Sequence, residues 1–92
     1  MSTGATTCIV GTVARYLLHH VHAAEDCGVA FASFKGDDSP LRKQAATASC
    51  LSGGHAIWWT VEAATERDAL AMLPWYVAER TTAIRVAEVQ IP

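Results

Sequence analysis

Basic charge is what this sequence has least to spare. Its 92 residues hold seven Lys and Arg against nine Asp and Glu, a formal net charge of −2. That balance gives no general attraction to phosphate backbones. Arg42, Lys43, Arg80 and Arg85 are too scattered for a nucleic-acid footprint. No apolar run approaches the roughly 20 residues of a membrane span, so neither nucleic acid nor membrane is an expected partner. The opening stretch, MSTGATTCIVGTVARY, lacks the basic start and long apolar core of a secretory signal. A cytoplasmic, reducing setting is therefore expected, and the three cysteines are an odd number for a disulfide scaffold. Internal repeats, linkers and low-complexity runs are lacking as well.

What is present is apolar material and a concentration of histidine. The hydrophobic share is 51%, ample for one globular domain and too high for disorder. We expect a flexible extension over residues 1–12 and a single domain over 13–92. Residues 15–27, RYLLHHVHAAEDC, hold three of the four histidines and Cys27. A second cluster, SCLSGGH over 49–55, supplies Cys50 and His55.

Residues 13–23 read as a first strand, rich in Val, Leu and Tyr. Alternation sets Tyr16, Leu18, His20 and His22 on one face and Leu17, His19 and Val21 on the other. A helix follows over about 25–35, opened by Glu25 and Asp26, where free N–H groups favour negative charge, and stopped by Gly36. Asp37, Asp38, Ser39 and Pro40 make a turn. A weak, alanine-rich strand is expected over 45–51, then a tight loop at Leu51–Gly54 and a strong strand over 55–63. Thr65 and Asp68 form a capping-box-like pair opening a second helix, which Pro74 should kink or split. The last strand is expected over 82–91.

Strand, helix, strand, strand, helix, strand is the ferredoxin-like βαββαβ order: an α+β fold with an antiparallel sheet and two helices on one face. It places the third strand between the first and second. His20, His22, Cys27, Cys50 and His55 then converge on one edge of the sheet. With a four-residue loop, Cys50 and His55 would be cross-strand partners. The end of the second helix adds Tyr76, Glu79 and Arg80 as rim residues.

With its element order, the LPWYV break after the second helix and the closing RVAEVQIP strand, the chain resembles the dimeric α+β barrel superfamily. The resemblance is to its muconolactone-isomerase-like branch and runs from Tyr16 to Pro92. It implies a homodimer with two facing sheets and a small-molecule or metal pocket. No catalytic set of the family maps onto these residues.

Imidazole and thiolate suit zinc, nickel or copper, and disfavour hard ions such as magnesium. His20 and His22 project from one strand face, His55 from its neighbour offers a third imidazole, and Cys27 or Cys50 completes a tetrahedral set or leaves a position open. The spacing matches no standard zinc finger, so topology carries the metal expectation. One alternative is cofactor-free, isomerase-type small-molecule chemistry in a cleft of His, Tyr16, Trp59, Tyr76 and Arg80, since imidazole titrates near neutrality. Another is a structural or interaction module in which the histidines line an interface.

Overall fold

The protein is described from a computed structural model covering residues 13–92. The expected N-terminal extension and Cys8 lie outside those residues. Four strands form one sheet: β1 (Ala14–Val21), β2 (Thr47–Ala48), β3 (Ala56–Ala63) and β4 (Thr81–Val86). Their order across the sheet is β2-β3-β1-β4, and every neighbouring pair is antiparallel. A single 3-10 turn at Ala24–Asp26 leads into α1 (Cys27–Ala32). Two further short helices, α2 (Glu66–Leu70) and α3 (Trp75–Ala78), lie between β3 and β4. The architecture is thus α+β, with β3 between β1 and β2. No helix among the described residues is long and apolar enough to cross a membrane.

The pleat decides which side chains are buried. Tyr16, Leu18 and His20 of β1, Ile57, Trp59 and Val61 of β3, and Ala83 of β4 all point to one face and are buried there. Ala69 of α2, Val77 of α3 and the intervening Leu73 close over that face. A fully buried residue of the size of Leu18 contributes about 2 kcal/mol through the area it removes from water. The opposite face carries Leu17, His19 and Val21 against Trp58, Thr60, Thr82 and Ile84, and it is only partly covered. The helices flank the sheet on the side of Trp59, so Glu62 falls on the open face, in register with Arg15 and exposed.

Local sequence explains where the elements stop. Thr65 accepts a hydrogen bond from the Asp68 amide (3.1 Å), the N-cap its position predicts. Pro74 splits the second helical stretch, standing at φ −58° just before α3 because its ring cannot continue the preceding turn. Gly36 adopts φ +75° where the turns after α1 reverse. The first helix is shorter than the expected 25–35 and begins as a 3-10 turn. Its acidic residues lie in that turn and make no side-chain cap.

Two strands fall short of expectation. β2 keeps two residues of the seven expected: alanine packs little surface at a sheet edge, and Ser49 pulls the chain into a turn. β4 ends at Val86, not at 91, because its partner β1 begins at Ala14 and Arg15 is the last residue paired with it.

Candidate metal centre

The site is built on the last turn of the β1–β3 ladder. The register that pairs Val21 with Ala56 brings His22 opposite His55, and the His22 amide donates to the His55 carbonyl (3.0 Å). Their rings lie 5.7 Å apart between centroids. The expected pairing of Cys50 with His55 is not formed. The β2–β3 register, Ala48 opposite Ile57, would carry it there if continued, but the ladder stops at Ser49. The Ser49 hydroxyl accepts from the Ala56 amide (3.2 Å) and its carbonyl accepts from the Gly54 amide (2.8 Å). Gly54 must lack a side chain, since a Cβ there would collide with the Ser49 side chain. Cys50 is thereby turned out of the strand into a 3-10 turn, Cys50–Ser52, closed by Gly53 at φ +90°.

That turn delivers Cys50 to the first residue of α1. A ring nitrogen of His22 and the sulfurs of Cys27 and Cys50 all lie within 4.8 Å of one another. His22 is buried and both cysteines are half-buried, reduced thiols. Burial pushes the Cys50 thiol pKa up, and the adjacent Cys27 thiol raises it further.

Behind His22 stands a relay of hydrogen bonds. The Thr81 hydroxyl donates to the Val77 carbonyl (2.6 Å), so towards His20 the Thr81 oxygen can only accept. His20 Nδ1 lies 3.3 Å from both that oxygen and the Val77 carbonyl, which assigns the proton to Nδ1. Burial holds the His20 pKa below the ordinary imidazole range, against the pull of the Val77 carbonyl; His22, Arg80 and His19 add to the lowering. In neutral His20 the Nε2 lone pair accepts from His22 Nδ1–H at 3.0 Å. The free lone pair of His22 is then on Nε2, which is buried and has no hydrogen-bond partner. His55 Nδ1 is buried and unpartnered in the same way. An unsatisfied buried polar atom costs about 1–3 kcal/mol, and here two stand on adjoining rings.

The five residues of the two clusters are therefore gathered at one edge, in differentiated places. His22, Cys27 and Cys50 form the compact donor group, and His55 adjoins it. His20 has both ring nitrogens engaged and aims His22, the arrangement by which a second imidazole fixes a ligand's tautomer. The other residues of interest lie apart. Tyr16 is buried in the core. The Arg80 guanidinium folds back over the end of α3, 3.9 Å above the Tyr76 ring and 2.9 Å from the Glu79 carboxylate. Trp59 packs between the rings of His20 (6.5 Å) and Phe34 (6.1 Å). One side of it borders a cleft of about 250 Å³ lined by Phe31, Phe34, Leu41, Lys43 and Ile57.

Sequence reasoning missed Val77, Thr81 and Ser49. Thr81 had a signal: it sits opposite His20 once β4 starts at 81 and not 82. Ser49 had a weaker one, as a hydroxyl residue just before a Gly-containing turn. No known family, curated protein or solved structure matches the chain.

Proposed function

We propose that this is a metal-binding protein of ferredoxin-like topology, holding a transition metal through His22, Cys27 and Cys50, with His55 as fourth donor. The observation that carries the reading is the His22, Cys27 and Cys50 group, whose ligand atoms lie within 4.8 Å of one another, together with the unpartnered buried nitrogens His22 Nε2 and His55 Nδ1 on adjoining rings. Two sulfurs and two imidazoles are a tetrahedral set, and among zinc, nickel and copper that set suits zinc best. A reducing, cytoplasmic setting would keep both thiols available. The donors all being protein side chains, the reading is of a closed site that stabilises the fold or holds the ion, and catalysis is not required of it.

The decisive experiment is elemental analysis of the purified full-length protein beside Cys27→Ser/Cys50→Ser and His22→Ala variants. About one metal ion per chain is expected for the parent, falling to none in the variants. Full metal content in both variants would place the ion elsewhere and defeat the proposal.

The open sheet face supports a second copy of the chain as partner. Val21 is 51% and Ile84 48% exposed there, flanking the His19–Trp58 pair. Sedimentation velocity of an Ile84→Lys variant tests this, with a shift from dimer to monomer expected. A second reading, a small apolar ligand in the cleft beside Trp59, rests on that cleft's aromatic lining and on Lys43 at its border, which is held at φ +66°. Ligand-induced thermal shifts in metal-free protein would favour it.

A further inference from the structure

The two sulfurs of the centre are neighbours of each other as well as donors to an ion. They lie within 4.8 Å of each other. Each cysteine begins a short turn of helix: Cys27 is the first residue of α1, and Cys50 opens the 3-10 turn that ends at Gly53. Both are half-buried, so a small oxidant can reach them. A disulfide needs the sulfurs at about 2.05 Å, a closure within reach of a one-turn segment ending in two glycines.

We infer that Cys27 and Cys50 are a thiol–disulfide switch: their oxidation to an intramolecular disulfide removes both sulfur donors at once and releases the metal. The inference rests on the metal reading for its consequence and on the sulfur geometry alone for its chemistry. The oxidant is a low-molecular-weight disulfide, R–S–S–R. One protein thiolate attacks a sulfur of the oxidant; a protein–S–S–R bond forms, the oxidant's S–S bond breaks, and the first R–S⁻ leaves. The second protein thiolate attacks the protein sulfur of that mixed disulfide; the Cys27–Cys50 bond forms and the second R–S⁻ leaves. Two protein thiolates lose two electrons in all, and the oxidant becomes two thiols. The ion then keeps only imidazole donors, which cannot hold it as two thiolates did. A reducing dithiol reverses the sequence and restores the site.

The test uses the full-length chain and oxidised glutathione. Metal-free protein is treated, its remaining thiols are alkylated, and its peptides are mapped by mass spectrometry. The Cys27 and Cys50 peptides should be recovered joined, free thiols should fall from three to one, and a Cys8→Ser variant should behave identically at the other two positions. Zinc-loaded protein is treated in parallel with a chromophoric chelator present; one zinc should be released per disulfide formed, and rebound after reduction. Protein that binds zinc through these residues yet keeps both thiols open to alkylation, or carries only glutathione adducts or cross-links to Cys8, overturns the switch and leaves the metal reading standing. A Cys27–Cys50 disulfide in a protein that never takes up metal overturns the metal reading and the gating with it, while a buried pair that reacts only after denaturation overturns the switch.

Discussion

His19 and His20 are adjacent in sequence and share almost nothing else. His20 is fully buried, with one ring nitrogen held by Val77 and Thr81 and the other by His22. His19 lies on the open face, stacked on Trp58 at 5.2 Å with the rings 3° from parallel, and makes no part of the relay. The same contrast runs along β1: Leu18 is wholly enclosed while Leu17 is half-covered. One residue of register separates a histidine that aims a proposed metal donor from one that decorates a surface, because successive strand side chains leave the pleat on opposite sides. Chemistry on this strand is thus assigned by parity before it is assigned by residue type.

The largest effect should come from the leucines. Leu18→Ala removes a fully enclosed side chain and should cost about 3 kcal/mol in urea unfolding, against less than about 1 kcal/mol for Leu17→Ala. Equal losses would mean that the open face is as well packed as the helix side. The histidines should separate next. His20→Ala should weaken metal binding by about 10–100-fold, the usual consequence of removing the group that orients a ligand imidazole. His19→Ala should leave the affinity where it was, and competition titration against a chelator of known strength reads both.

A pH series sharpens the same pair. Folding lowers the His20 pKa, so the unfolded chain binds a proton more readily than the folded one. The stability this contributes is fully present above the unfolded value of about 6.5 and is lost as pH falls below it toward the lower folded value. Unfolding of the metal-free protein at pH 7.5 and pH 5 should show the loss, and a His20→Gln variant should show a flatter profile. A slope that survives unchanged in that variant would assign the acid sensitivity to other groups. On stability, His19→Ala should cost about 0.5–1.5 kcal/mol, as for an aromatic stack on an open sheet face. A larger loss accompanied by a change in oligomeric state would mean that the stack is covered by a second chain.

Much of this was readable beforehand, and the limits were physical. The faces of β1 followed from alternation alone, and the Thr65 cap and the break at Pro74 followed from local chemistry. Convergence of His20, His22, Cys27, Cys50 and His55 on one edge followed from the order of elements. The partnership within that edge did not. Cys50 was expected opposite His55, and the β2–β3 register does point that way, but a serine hydroxyl competing for the Ala56 amide ends the ladder first. Side-chain competition for a backbone donor is invisible to a hydrophobic pattern. The role of His20 was hidden for a related reason: it depends on Val77 and Thr81, which lie 57 and 61 residues away in sequence.

The Val77 carbonyl has a consequence of its own. It receives the Arg80 amide, the Thr81 hydroxyl and His20 Nδ1 together, and so ties the final helical turn to the relay. Every donor of the proposed centre is made by residue 55, whereas the clamp that fixes their aim is made by residues 77–81. During synthesis the proposed ligands emerge first and wait. A nascent chain halted after β3 would carry all four donors with no means of setting the tautomer of the first, and high-affinity capture would date from the arrival of β4.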